Sequence, residues 1–149
     1  MRFLCDEMLG DLARYLRAAG HDTVLARGGA PDTHWIAVAR RQRRLFLTRD
    51  RLLAPEAGED VALQVPDGDL DAAAAFLRQA LELDWLYRPF SRCLLDNAEL
   101  TPVPAQAHRR VPPDIPVAEA RACPSCGRVY WPGSHYRRMR ARLAGWAGR

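Results

Sequence analysis

Arg44-Leu45-Phe46-Leu47-Thr48-Arg49-Asp50 is a short apolar run that ends abruptly in a hydroxyl, a guanidinium and a carboxylate. Its core, Leu45 to Leu47, reads as a strand buried on both faces of a parallel sheet. In open α/β sheets, ligands bind just beyond the carboxyl ends of the strands, which puts Asp50 at a candidate site. The N-terminus repeats the design, because Phe3, Leu4 and Cys5 run into Asp6 and Glu7. Two acids at two strand ends can converge on one point, where their repulsion calls for protons or a cation. An oxygen-rich acidic cluster of that kind suits Mg²⁺ or Mn²⁺. For each acid alone the structural alternative is a cap, Asp6 on the first helix and Asp50 on the turn that follows it. Two such acids in one small sheet favour a site.

Working outward, Glu7 to Ala19 has helical spacing in Leu9, Leu12, Tyr15, Leu16 and Ala19, and Gly20 is placed to end it. Thr23-Val24-Leu25 reads as a second strand, and Arg27 to Pro31 as a loop. Asp32 reads as the N-cap of a helix carrying Trp35, Ile36, Val38 and Ala39, and as an acid that can also face the strand ends. That helix closes in Arg40, Arg41, Arg43 and Arg44, a solvated, dipole-compensating end. Val61 to Val65 is a fourth strand, and the turn after it holds Asp67 and Asp69. Leu70 to Leu83 is a strong helix. Strands alternating with helices predict an α/β fold with a mostly parallel sheet flanked by helices.

The composition changes after Asp84. Five prolines between Thr101 and Ala120 predict an irregular arm, and Cys123-Pro124-Ser125-Cys126 a knuckle followed by a strand, Val129-Tyr130-Trp131, with Trp131 in a small core. Ser134 is placed to cap a last helix running to about Ala144. The expected organisation is residues 1–84 as one unit and 85–149 as a second, smaller one. A chain of 149 residues with 48% hydrophobic and 27% charged residues is ordinary for a soluble protein. No apolar run approaches a membrane span, and no basic-then-apolar leader opens the chain, so the cytoplasm is the expected location. Every one of the 22 basic residues is Arg. The absence of Lys excludes phosphate-binding loops that need one. From Arg121 onward there are arginines and no acids, which points to a polyanion, with nucleic acid the first candidate.

Three blocks carry a resemblance. They are Phe3 to Gly10 and Leu12 to Arg17 with Gly20-His21-Asp22, then Leu47 to Leu52, then Cys123 to Cys126 with Val129-Tyr130-Trp131, Gly133 and His135. Together these resemble the Mut-seven C-terminal RNase family, PIN-like nucleases with a zinc ribbon after the catalytic domain. The resemblance implies a PIN-like fold with a small zinc-ribbon-like C-terminal module, and a ribonuclease dependent on Mg²⁺ or Mn²⁺. Its catalytic acids map to Asp6, Asp50 and Asp32, with Asp6 and Asp50 holding the metal. It also implies a structural Zn²⁺ site from two knuckles. The first knuckle here reads Cys93-Leu94-Leu95-Asp96, with Asp96 in the second Cys place, so the ligand set becomes Cys93, Asp96, Cys123 and Cys126; His135 and His108 are the alternative ligands, with surface or packing roles preferred for both.

The residues themselves add roles beside these. Arg49 can hold a flanking phosphate or pair with a neighbouring acid. Arg137, Arg138, Arg140 and Arg142 can hold RNA by its backbone, with Tyr130, Trp131, Tyr136 and Trp146 as stacking candidates. The rival of a different class is a non-catalytic RNA- or ribosome-binding adaptor on the same fold, and a third reading is a toxin-like nuclease held by an inhibitor.

Overall fold

The computed structural model describes residues 1–148. Four parallel strands, β1 (Arg2–Cys5), β2 (Asp22–Leu25), β3 (Leu45–Thr48) and β4 (Ala62–Gln64), form a sheet in the order β2-β1-β3-β4. The predicted mostly parallel α/β sheet is therefore present. Phe3, Leu4, Cys5, Phe46 and Leu47 have no solvent exposure, as expected of strands covered on both faces. Their side chains alternate between two cores. Phe3, Cys5 and Leu47 pack with α1 (Gly10–Ala18) and α4 (Leu70–Leu81), while Leu4 and Phe46 pack with α2 (Asp32–Gln42) and α3 (Leu53–Ala57). Register pairs like with like, Leu4 opposite Phe46 and Cys5 opposite Leu47. Among the described residues no helix is long and apolar enough to cross a membrane.

The second module is a three-stranded antiparallel sheet of β5 (Thr101–Pro102), β6 (Arg121–Ala122) and β7 (Val129–Tyr130), followed by α5 (Ser134–Trp146). Helix α5 packs on α1 and α4. Its Met139 and Leu143 join the first core, with Trp146 packed against it. Trp146 stacks edge-on against Tyr15 and Trp85, both at 4.9 Å between centroids. Trp85 is fully buried and donates its indole N–H to the Ala74 carbonyl at 3.1 Å. At the junction Gly20 takes a φ of 96° with the Arg88 carbonyl packed against its Cα, so no Cβ fits there.

Several local expectations shift. The first helix begins as a 3₁₀ turn over Glu7–Leu9, because the Leu9 N–H bonds back to the Asp6 carbonyl, and becomes α-helical only at Gly10. Asp32 is not the N-cap of α2: Pro31 holds that place in extended conformation, no side chain caps the helix, and Asp32 is its first residue. Ser134 is likewise the first residue of α5 rather than its cap, which is Gly133. α4 stops at Leu81 because Glu82 turns left-handed at φ 51°. Arg44 is not solvated. Arg43 ends α2 in left-handed conformation, which turns Arg44 inward to meet Asp22 at 2.7 Å. Burial alone would raise the Asp22 carboxyl, but the hydrogen bonds from Arg44 and Asn97 bring it down to about 2.

His21 is buried and stacked on Tyr87 at 5.2 Å. Its Nε2 lies 2.9 Å from the Asp84 carbonyl and so carries the proton, while Nδ1 has no partner among the described residues. Burial lowers its pKa, outweighing that hydrogen bond. The folded state therefore favours neutral His21, and this contribution is complete above the unfolded value of about 6.5 and is lost as pH falls below it. Melting curves between pH 8 and 5 should show the wild-type advantage over His21→Gln shrinking as pH falls. A constant difference would contradict this reading.

Candidate functional site

The order β2-β1-β3-β4 has its switch point between β1 and β3. The chain leaves β1 toward the face of α1 and leaves β3 toward the face of α3. Helices departing to opposite sides open a crevice at the carboxyl ends of those two strands. Asp6 and Asp50 stand there. The β1–β3 ladder continues past the strand end, with the Asp6 N–H donating to the Leu47 carbonyl at 2.9 Å.

One side chain joins the two acids. The Thr48 hydroxyl donates to Asp6 Oδ2 at 3.0 Å and accepts the Asp50 N–H at 3.0 Å. Thr48 is fully buried, so its rotamer is held by packing. Asp6 Oδ1 accepts the Glu7 N–H at 2.8 Å, and Asp50 Oδ1 accepts the Leu52 N–H at 2.9 Å. Both carboxylates are thus oriented by the hydrogen bonds they accept. Among the described residues no side-chain cation pairs with either acid. Each acid caps the turn after it, as the structural alternative required, and this leaves lone pairs free on both. Oriented carboxylate oxygens without a cationic partner at one crevice fit a hard divalent cation.

The other acids differ. Asp32 lies on the same sheet edge, at the start of α2, exposed and with no hydrogen bond to Asp6 or Asp50. Asp69 caps α4, accepting the Ala72 N–H at 2.8 Å, and Asp67 pairs loosely with Arg51 at 3.5 Å on the surface. Arg49 makes no ion pair among the described residues; its Nη2 donates to the Gly68 carbonyl at 3.0 Å and its buried Nε has no partner there. Arg137, Arg138 and Arg140 lie on α5, with Arg137, Arg138 and Arg140 all open to solvent. Arg142 instead binds Asp71 at 3.1 Å and lies over the rings of Tyr15 and Trp146.

The sulfur ligands converge in the second module. Ligand atoms of Cys93, Asp96, Cys123 and Cys126 all lie within 4.8 Å of one another. Two knuckles with the same backbone wiring hold them. The Cys93 N–H bonds to the Ala98 carbonyl and the Asn97 N–H to the Cys93 carbonyl; Cys123 bonds likewise to Arg128 and Gly127. Asn97 and Gly127 both take positive φ, 74° and 79°. Asp96 therefore sits in the place that Cys126 occupies in the other knuckle. The Cys93–Cys126 sulfur separation is 3.8 Å, and the edge of a tetrahedron with zinc–sulfur bonds of about 2.3 Å is about 3.8 Å. Asp96 oxygens lie 3.2 and 3.3 Å from the Cys123 sulfur. Three sulfurs and one carboxylate oxygen at these spacings fit a metal such as zinc.

The family model of the Mut7-C RNAse domain matches residues 1–143. The chain belongs to this family. No curated protein and no solved structure gives a significant match. Membership in the Mut7-C RNAse domain family suggests a nuclease or RNA-related role.

Sequence reasoning did not single out Thr48, Asn97, Arg17 or the role of Tyr130. Asn97 accepts the Thr23 N–H and donates to Asp22 Oδ1, closing the open edge of β2. Arg17 is buried and donates to the carbonyls of Thr23, Leu94 and Leu95. Tyr130 is held against the Cys93 sulfur at 3.1 Å and accepts the Leu94 N–H; burial and that sulfur raise its pKa. Trp131, expected inside, is 39% exposed, because alternation along the strand turns it away when Tyr130 faces Cys93. Tyr136 packs on Phe90 at 4.0 Å between ring centroids. The signal for Asn97 was its place, since it occupies the knuckle position that takes glycine in the second copy.

The Thr48 bridge gives a direct test. Thr48→Val keeps the shape and removes the hydroxyl, and should cost about 1 kcal/mol in urea unfolding, because water reaches half-buried Asp6 and replaces part of the lost bond. Thr48→Ser should retain the bridge. A valine variant as stable as wild type would mean that the hydroxyl contributes nothing to holding the acids.

Proposed function

We propose that this protein is a divalent-metal-dependent ribonuclease that hydrolyses phosphodiester bonds at the β1/β3 crevice. The observation that carries the reading is the Thr48 hydroxyl shared by Asp6 and Asp50 at the switch point of the sheet. Asp6 and Asp50 would hold Mg²⁺ or Mn²⁺, with Asp32 the third acid on the same edge. Such an ion, when bound, lowers the pKa of water and neutralises charge on a phosphate.

The chain's own residues do the rest. Thr48 holds the Asp6 carboxylate and the Asp50 backbone in place, and the Leu52 N–H orients the Asp50 carboxylate. Arg49, without an acid partner among the described residues, meets a flanking phosphate. The exposed arginines of α5, Arg137, Arg138 and Arg140, contact the RNA backbone without reading sequence. Arg142 holds α5 onto α4 through Asp71 and in that way keeps the arginine face in place. Cys93, Asp96, Cys123 and Cys126 would hold a structural zinc ion that fixes the small module.

One observation favours a second reading, a non-catalytic RNA-binding adaptor: among the described residues the turn acids Asp67 and Asp69 contact Arg51 and the start of α4 and make no hydrogen bond to Asp6, Thr48 or Asp50. Cleavage decides between the two. Wild type should cut single-stranded RNA with Mn²⁺, and Asp6→Asn should lose on the order of 100-fold or more in rate with its melting temperature and RNA affinity nearly unchanged. Cleavage by Asp6→Asn at the wild-type rate would remove this site from the chemistry. RNA binding without cleavage by wild type in either ion would support the adaptor.

A further inference from the structure

The two acids share a local sequence as well as a sheet edge. Asp6-Glu7-Met8-Leu9 and Asp50-Arg51-Leu52-Leu53 follow one pattern, an acid, a charged residue, an apolar residue and a leucine. In each, the carboxylate accepts a backbone N–H just downstream, from Glu7 and from Leu52. The fourth residue anchors the turn, with Leu9 3% and Leu53 5% exposed. These anchors enter opposite cores, Leu9 on the α1 face and Leu53 on the α3 face. Between acid and anchor, each turn holds a large apolar side chain in water: Met8 is 79% exposed and Leu52 is 73% exposed. A single exposed apolar residue is ordinary. Two at the same offset from two bridged acids, on turns leaving toward opposite faces of the sheet, form a pattern around the crevice.

We propose that Met8 and Leu52 are apolar wedges that receive the nucleobases flanking the bound phosphate, which makes the site selective for unpaired RNA. The inference rests on the ribonuclease reading and adds a substrate class to it. Leu and Met are side chains that proteins insert against base faces, and the methionine thioether is polarizable and packs well on aromatic rings. Contacts of this kind read no hydrogen-bonding edge, so they carry little base preference. They do require open base faces, which a duplex yields only at the cost of unstacking and an unpaired strand offers without it. The setting favours nucleic acid over a protein as the occupant. Met8 follows Asp6 and Glu7 and Leu52 follows Asp50 within two residues; the cation that accompanies an RNA phosphate neutralises these acids, whereas an apolar protein surface would bury them uncompensated. Arg49 and Arg51 in the same stretch supply phosphate contacts beside the wedges.

The test uses the full chain, a Met8→Ser/Leu52→Ser double variant, and the apolar pair Met8→Leu/Leu52→Met. An RNA carrying 2-aminopurine reports base contact by fluorescence, titrated first in EDTA and then with Mn²⁺. Wild type should change the signal on single-stranded RNA and the serine variant should not. Its KM for single-stranded RNA should rise about tenfold with kcat retained, and the apolar pair should restore it. Melting temperatures should be equal, since both positions are exposed. Unchanged fluorescence and KM in the serine variant would overturn the proposal, as would an equal loss on duplex RNA. If wild type cleaves no RNA the ribonuclease reading fails. The fluorescence arm still decides the wedges: a signal lost in the serine variant supports base contact, and no difference removes it.

Discussion

Everything at the candidate site depends on β1 and β3 running side by side in the same direction. Parallel neighbours end on the same edge, and the ladder here carries one bond further, from the Asp6 N–H to the Leu47 carbonyl. The residues that follow are then fixed in place relative to each other. The two acids are far apart in sequence and come from different turns, yet one threonine hydroxyl meets the carboxylate of the first and the backbone of the second. Because the connections leave toward opposite faces, they open a crevice at that edge. Two surface depressions, one lined by Arg88, Phe90, Glu99 and Arg121 and the other by Ala75, Arg78 and Trp146, are not lined by either acid. At the crevice itself Asp50 and Glu7 are exposed and Asp6 is half-buried, so a polymer lying across the edge can reach them.

The second module is joined to the sheet by buried polar groups. Asn97 satisfies the edge of β2, and Arg17 reaches from α1 to the carbonyls of the first knuckle. A buried guanidinium is costly unless its donors are met, and here three carbonyls meet them. Burial still lowers the Arg17 pKa, as the largest effect on it. Removing either link would leave unpaired groups in both modules. The first knuckle and the parallel sheet thus share hydrogen bonds, while α5 shares its apolar face with α1 and α4. The arginine face of α5 is therefore held in place by the same core that supports the acids.

Much of this was readable in the sequence because it rests on local rules. The runs Phe3 to Cys5 and Leu45 to Leu47 are strands buried on both faces, and their terminal acids mark the edge. The resemblance to a family with two knuckles implies Asp96 as the fourth member of the cysteine cluster, and the structure brings it there. What the sequence did not disclose depends on partners distant in the chain. Thr48 looks like any strand-end hydroxyl until Asp6 is beside it. Arg44 belongs to a run of arginines that reads as solvated, and only the left-handed turn at Arg43 brings it to Asp22. Trp131 and Trp146 exchange their expected places: a short strand turns the first outward, while the docking of α5 on Trp85 and Tyr15 takes the second inside. Asp32 and Ser134 are each one residue past the cap position, because extended Pro31 and Gly133 precede them.

The central claim is that Asp6 and Asp50 form one cation site at the switch point. Titrating Mn²⁺ into wild type and into Asp50→Asn, followed by calorimetry or electron paramagnetic resonance, tests it most directly. The account predicts a saturable site in wild type that is lost in Asp50→Asn while the cysteine cluster keeps its metal. Equal Mn²⁺ binding by both proteins would contradict it.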